Sequence, residues 1–462
     1  MIGSITTVIS AIFWGLVVLS VLVFVHEGGH YLSARACGMR VTEFFLGMPC
    51  RYRLAWKSKT HGTVYGVTPI LLGGYTRICG MEGEEDELLA DCLAFVQERG
   101  RASAHDVAER LGVDEDRALD MLVTLSDWAS IEPFYNPDKG EYEGQKDYPQ
   151  EFRTLARDGH LRTEYDKGCD LTEEGSTQAG EPRAITLSAS DFLAVERSQT
   201  YLGKGFWKRV VTLFAGPLVN VLVCIAIITV GLSAVGTDVA QNTNTLGVVD
   251  EGGYAYAAGV RVGDTITAVN NTAVVDWNSL ASTLTQVMGE GKDFTLTVRR
   301  NGQELLLTVD LPEDQHVDVI GIQPQYKHVT LSVADAFATG VNYGRLVAQF
   351  AIRLIIPQHT METLSTTSSV VGISAMAGQA AAAGAYELML FVAMISMSLG
   401  IMNLLPIPPL DGGKILIELI QLIIRRPLPM KAQLAVSYLG LAFFMFIFVF
   451  ALRNDIANFI MG

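Results

Sequence analysis

Four stretches of this chain run for about twenty residues almost without charge: 5–25, 210–235, 385–405 and 434–452. At helical rise each is long enough to cross the apolar core of a bilayer. Lipid offers no hydrogen bonds to a backbone, so such runs must satisfy their own as helices. The composition agrees, with 49% apolar residues and a mean hydropathy of +0.29. The expected fold class is a polytopic α-helical membrane protein with about four transmembrane helices. The first run lacks a basic n-region and a small-residue cleavage site, and it reads as a retained span rather than a leader. A shorter run, "YGRLVAQFAIRLII" at 343–356, carries Arg345 and Arg353 and is expected to lie along the interface.

The net charge of −15 is concentrated in one segment. Residues 82–201 hold 29 acidic and 12 basic side chains, and the rest of the chain sums to +2. No nucleic acid is expected as a partner, because a phosphate backbone needs a basic face. Lysine and arginine cluster after the first run (Arg35, Arg40, Arg51), before the second (Lys204, Lys208, Arg209) and after the third (Lys414, Arg425, Arg426). With four spans these flanks share one side, expected to be the cytosol. Both termini and the segment 236–384 are then expected outside, in a multi-pass protein of the cell membrane. Five of the six cysteines fall on the cytosolic side, Cys224 falls in a span, and there is no C-x-x-C pair, so no disulfide or cysteine metal site is expected.

The soluble stretches divide the chain further. Residues 1–81 contain the first span and "KTHGTVYGVTPILLGGYTRICGM", whose β-branched residues and Gly73-Gly74 turn predict a membrane-associated β-hairpin, with a soluble hairpin as the alternative. In the acidic insertion, 82–200, three segments have helical apolar spacing, with Ser103 and Asp114 as N-caps and Gly112 as a stop. With the turn-rich "PFYNPDKGEYEGQ" after them, they predict a winged-helix-like module. Its third helix is too acidic for DNA, so a cytosolic protein partner is the expected role, with a plain spacer as the alternative. Residues 158–198 are polar and aperiodic and predict a linker, partly disordered. The second span belongs to 201–240. Within 241–325, "AYAAGVRVGDTITAVNN" and the strands that follow it resemble one extracytoplasmic PDZ domain over about 246–311, a module that adds a peptide or protein ligand to a sheet edge. Residues 326–384 are expected to be extracytoplasmic and interfacial helix, and 385–462 to hold the last two spans.

The chemistry sits at the end of the first run, which reads straight into "HEGGH". Ionisable groups at membrane depth are expensive and default to function. On a helix, His26 and His30 stand one turn apart on one face, where two neutral imidazoles hold one zinc ion, and Glu27 beside them can take a proton from water. Gly28 and Gly29 disfavour a helix by about 1 kcal/mol each and leave room beside the ion. A third ligand is needed, and "NLLPIPPLDGG" offers Asp411 after Pro406, Pro408 and Pro409 break the third span. Asp411 is also placed to cap the next helix; beside HEGGH, ligation is the stronger reading. Asn403 either orients a peptide carbonyl and its oxyanion or bonds between helices. Asn220, in "AGPLVN", has the same two readings, and packing is favoured. The remaining histidines (61, 105, 160, 316, 328 and 359) read as surface residues.

In order along the chain, HEGGH, "GVTPILLGGY", "FAGPLVN", the PDZ-like segment, "SSVVGISAMAGQ" and "NLLPIPPLDGG" resemble the site-2 protease family of intramembrane zinc metalloproteases, of the bacterial regulator-of-sigma-E protease type. The resemblance covers 1–81 and 206 to near the C-terminus. It implies one Zn2+ per chain held by His26, His30 and Asp411, Glu27 as general base, and Asn403 as a substrate-positioning residue. It implies that Gly73 and Gly74 belong to a β-loop that holds unwound substrate as a strand. It also implies a transmembrane protein substrate in contact with membrane lipid, such as an anti-sigma factor or a signal peptide remnant. Relatives with two PDZ domains and no acidic insertion depart from this chain. One rival reading is a catalytically silent membrane scaffold built on the PDZ and helical modules. Another is a zinc protease acting on soluble or lipid-modified peptides from the cytosolic face.

Overall fold

The computed structural model describes residues 5–71, 73–81, 86–142, 145, 147–289, 291–312, 319–365, 367–426 and 428–461. Two compact units emerge, one formed by Met1–Ile228 with Ala338–Gly462 and the other by Thr229–Phe337. Four helices are long and apolar enough to cross a membrane: Ile5–Ala36, Phe206–Val235, Ala385–Asn403 and Lys431–Ala457. Large apolar side chains such as Ile5, Val21, Leu439 and Val449 stand half or more exposed, at odds with water and natural against lipid. This is a multi-pass membrane protein.

The first unit begins with helix α1 (Ile5–Ala36), which carries HEGGH in its last third. Four strands follow: β1 (Val41–Leu46), β2 (Leu54–Lys57), β3 (Val64–Val67) and β4 (Gly74–Ile78). They form a sheet in the order β2-β3-β1-β4, with β1 parallel to β3. The predicted hairpin is therefore corrected. Strands β3 and β4 do not pair with each other; both pair with β1, a strand that sequence reading did not assign. Phe45, fully buried at the centre of β1, supplies the apolar anchor that favours this register. Leu72, inside the predicted turn, lies outside the described residues. Strand β4 is left as the edge of the sheet, beside α1.

The insertion contains α2 (Leu89–Arg99), β5 (Arg101–Ser103), α3 (Ala104–Leu111), α4 (Glu115–Asp127), β6 (Ile131–Pro133), β7 (Glu151–Thr154) and α5 (Ala189–Ser198). Ser103 caps α3 in a reciprocal box with Asp106, and Asp114 caps α4. Residues 143 and 144 of the turn-rich stretch lie outside the described residues. Ala118, Met121, Leu122 and Leu125, spaced for one helical face, are buried against Leu93, Val96, Phe152 and Phe192. The strands form a three-stranded sheet in the order β5-β7-β6.

The expected linker at 158–198 is ordered, which corrects that reading. Ion pairs, which leave no apolar periodicity, organise it. Arg40, just after α1, donates two 2.7 Å bonds to Asp166 and one of 2.8 Å to Glu196. Arg157 reaches the same Glu196 at 2.7 and 2.9 Å. Arg40, Arg157 and Glu196 are all buried. Burial alone would raise the Glu196 carboxyl, but Arg157 and Arg40 overcome it and hold it well below the usual carboxylate range. A depressed folded-state value stabilises above the unfolded pKa, here about 4.5, and the contribution is lost as pH falls below it. Glu196→Leu leaves the buried Arg157 guanidinium without its carboxylate and Arg40 with Asp166 alone, and is expected to cost about 3–5 kcal/mol. Faster proteolysis within 155–200 and a lower thermal midpoint in detergent would register it; an unchanged midpoint would refute it.

Helix α6 (Phe206–Val230) closes this part of the first unit. The second unit contains β8 (Thr237–Ala240), β9 (Leu246–Val249), α7 (Tyr254–Ala257), β10 (Thr265–Val269), β11 (Thr272–Ala273), α8 (Trp277–Gly289), β12 (Phe294–Arg300), β13 (Gln303–Val309), β14 (Ile322–Pro324) and β15 (Tyr326–Val329). A sheet in the order β11-β10-β12-β13 and the pair β14-β9 enclose one core that includes Val260, Ile266, Leu280, Leu296 and Ile320. Arg300 grips buried Asp264 with two parallel 2.7 Å bonds.

The chain continues through α9 (Val333–Ile355), α10 (Pro357–Ser365), α11 (Val370–Ala383), α12 (Ala385–Asn403), α13 (Asp411–Ile424) and α14 (Met430–Met461). Residues 370–383, expected within an extracytoplasmic and interfacial helical segment, form the apolar helix α11 packed on the first half of α1. Gly15 faces Ser374, and Gly378 faces Ala11. Asp455 of α14 accepts from the Ser369 and Gly372 amides at 2.7 and 3.2 Å, closing the N-terminus of α11.

Candidate metal centre

The site is assembled by close helix crossings that side chains would prevent. A Cβ on Gly29 of α1 would lie 2.5 Å from the Ala215 carbonyl oxygen of α6, and one on Gly216 would lie 2.4 Å from Nε2 of His30. The two helices therefore meet backbone to backbone, with the His30 ring over Gly216. Gly29 thus serves packing, where sequence reading gave it open space; of the pair, Gly28 alone has nothing within 4 Å. At the other end, the loop after α12 folds back on the start of α13. Cβ atoms on Gly412 and Gly413 would collide with the backbone of Leu404 and Pro408. The glycine pair lets Asp411, first residue of α13, enter the bundle.

These crossings bring His26, His30 and Asp411 together from 385 residues apart in sequence. The Nε2 atoms of the histidines lie 3.3 Å from each other. Oδ2 of Asp411 lies 3.1 Å from the first and 3.2 Å from the second. Ligands at about 2.0–2.1 Å from a tetrahedral zinc stand roughly 3.3–3.4 Å apart. The three atoms thus form one face of such a tetrahedron to within a few tenths of an ångström, and the donor set, two imidazoles and a carboxylate, suits zinc. Both histidines are buried.

The surroundings orient these groups. Nδ1 of His30 is 2.8 Å from the Thr212 carbonyl oxygen, and donating there leaves Nε2 free to bind a metal. Nδ1 of His26 is 3.4 Å from the Asn220 amide, a contact that the packing assignment of Asn220 missed. The sequence signal was an amide in an apolar run. Glu27 is half-buried beside the triad. Its backbone carbonyl accepts from Thr76 Oγ1 at 3.1 Å, and a Cβ on Gly74 would come within 3.5 Å of its side chain. Gly74 and Thr76 therefore turn one face of β4 toward α1 at Glu27, and among the described residues the outer edge of β4 pairs with no strand. Gly74 opens that strand, and the Gly73 carbonyl accepts from the Gly47 amide at 2.7 Å. Asn403 ends α12, eight residues before Asp411; among the described residues its amide bonds to none of the three. Of the surface histidines, 105, 160, 328 and 359 are exposed, His61 is half-buried, and His316 lies outside the described residues.

Three candidate ligand atoms in this shape, with a spare carboxylate beside them and apolar helices around them, fit a membrane-embedded metallohydrolase. The model of peptidase family M50 matches residues 14–447, and the chain belongs to this family of zinc metalloproteases, the site-2 proteases. Among relatives, a putative zinc metalloprotease of Lactococcus lactis, LL2128, is 28% identical over 454 residues, covering 96% of this chain and 97% of its own. Zinc metalloprotease RasP of Geobacillus kaustophilus is 28% identical, with coverage of 96% and 97%. The regulator of sigma-W protease RasP of Bacillus subtilis is 26% identical, again covering 96% and 97%.

Proposed function

We propose that this protease holds one Zn2+ per chain with His26, His30 and Asp411 and cuts a transmembrane segment of a membrane-bound regulator, such as an anti-sigma factor, or a signal peptide remnant. The observation that carries this reading is the 3.1–3.3 Å triangle of ligand atoms with the edge strand β4 alongside. Zinc bound there supplies Lewis acidity that polarises a carbonyl and brings the pKa of water toward neutrality. Glu27 takes the proton of the attacking water and returns it to the leaving amine. Asn403 orients the peptide carbonyl. A helical amide is shielded by its own hydrogen bonds, so the substrate must unwind; the free edge of β4, opened by Gly73 and Gly74, offers replacement bonds.

The printed role of the Bacillus relative, a regulator of sigma-W protease, supports a regulatory substrate. The sheet and core of the second unit support a PDZ domain over about 246–311 that binds a peptide or protein outside. Three helices, with β5 between the first two and β6 and β7 after the third, paired as β5-β7-β6, support a winged-helix-like insertion with a cytosolic protein partner. The basic flanks support a metal centre near the cytosolic face and both termini outside.

Zinc content decides the core of this reading. Detergent-purified wild type is expected to hold about one zinc per chain, and Asp411→Ala to lose most of it, since metal sites need their full ligand count. Full retention by the variant would remove Asp411 from the ligand set. A cleavage site mapped outside the substrate's span would favour the soluble-peptide reading.

A further inference from the structure

Asn220 is completely buried on α6, and its amide meets the metal centre from behind. Nδ2 stands 3.4 Å from Nδ1 of His26, while Oδ1 has no hydrogen-bond partner. A buried acceptor left alone is costly, at about 1–3 kcal/mol. The backbone around it is fixed. Ser396 Oγ of α12 donates to the Asn220 carbonyl oxygen at 2.8 Å, and a Cβ on Gly400 would lie 2.8 Å from the Pro217 carbonyl oxygen, so α12 pins this turn of α6.

The chemistry of His26 assigns the amide its direction. To offer the Nε2 lone pair to a metal, a neutral imidazole must carry its proton on Nδ1. With Nδ2 facing it, two donors would oppose each other. A half-turn of the amide puts Oδ1 in that place, since the two ends have nearly the same shape. The Nδ1–H of His26 then gains an acceptor, and the orphaned oxygen gains a donor. Thr212 performs the same service for His30 through its backbone carbonyl.

We infer that Asn220 is a positioning residue of the zinc site: its side-chain oxygen accepts from His26 Nδ1–H and holds the tautomer and ring angle that ligation needs. This rests on the His26–His30–Asp411 reading. Groups in this position typically alter metal affinity by about 10–100-fold, whereas an amide serving only helix packing would not.

The test compares zinc affinity, by competition with a chelating dye, in wild type, Asn220→Leu and Asn220→Asp, with thermal unfolding of the metal-stripped proteins as a control for folding. Asn220→Leu keeps the volume and removes the acceptor; its affinity is expected to fall about 10–100-fold. Asn220→Asp keeps an acceptor and is expected to bind zinc as tightly as wild type or more so. Equal affinity in wild type and Asn220→Leu would overturn the inference. So would equal weakening in both variants, because volume and acceptor would then not be separable from packing. Should Asn220→Leu fail to fold, Asn220→Asp decides alone: retained affinity supports the acceptor role, and a loss above tenfold removes it. A wild type that binds no zinc would instead sink the metal-centre reading on which this one stands.

Discussion

Glu27→Gln is expected to lose proteolysis by about 10²–10⁴-fold while keeping its zinc. The exchange preserves shape and hydrogen bonding and removes only the capacity to take a proton. At 1.36 kcal/mol per decade, that loss corresponds to about 3–5 kcal/mol of transition-state stabilisation. Glu27 is not one of the three atoms that form the ligand triangle, so metal content separates the roles. The check is cleavage of a transmembrane substrate together with zinc per chain. Loss of zinc in parallel with activity would make Glu27 a ligand instead, and retained activity would place the base elsewhere.

Gly216→Ala is expected to do nearly as much damage without touching any reactive group. The added methyl would come within 2.4 Å of His30 Nε2, and α6 cannot shift freely because α12 packs on the same stretch, where a Cβ on Gly400 would lie 2.8 Å from the Pro217 carbonyl oxygen. A displacement near 1 Å at a reacting centre costs on the order of 100-fold in rate, and metal sites tolerate only about 0.2 Å in their bonds. Both zinc affinity and turnover should fall. Gly28→Ala is the matched control, since nothing lies within 4 Å of that Cβ; the helix gains up to about 1 kcal/mol, and zinc should stay. Normal zinc binding in Gly216→Ala would show that α6 can shift, and the close crossing would lose its assigned importance.

The two halves of the candidate metal centre were legible in the sequence for different reasons. HEGGH announces itself through i, i+4 spacing, and Asp411 through a carboxylate at a proline break in an apolar run. Neither signal says that Gly216 lies under His30, because close approach between segments 186 residues apart leaves no local pattern. The central strand β1 was missed because its flanks carry no hairpin signal and its partners come from further along the chain. The insertion's first half was readable from apolar spacing and caps. Its second half is organised by buried charge pairs, to which periodicity is blind.

Those charge pairs bear on any attempt to trim the enzyme. Arg40 belongs to the short connection between α1 and the sheet, yet its charge is neutralised from residues 166 and 196. Cutting out the insertion would therefore not restore a simpler ancestor of the molecule. It would strand a cation at the base of the helix that carries HEGGH, and a dead product would say nothing about what the insertion does. A shortened protease has to change residue 40 together with the deletion. The acidic module is fused into the foundations, not parked beside them.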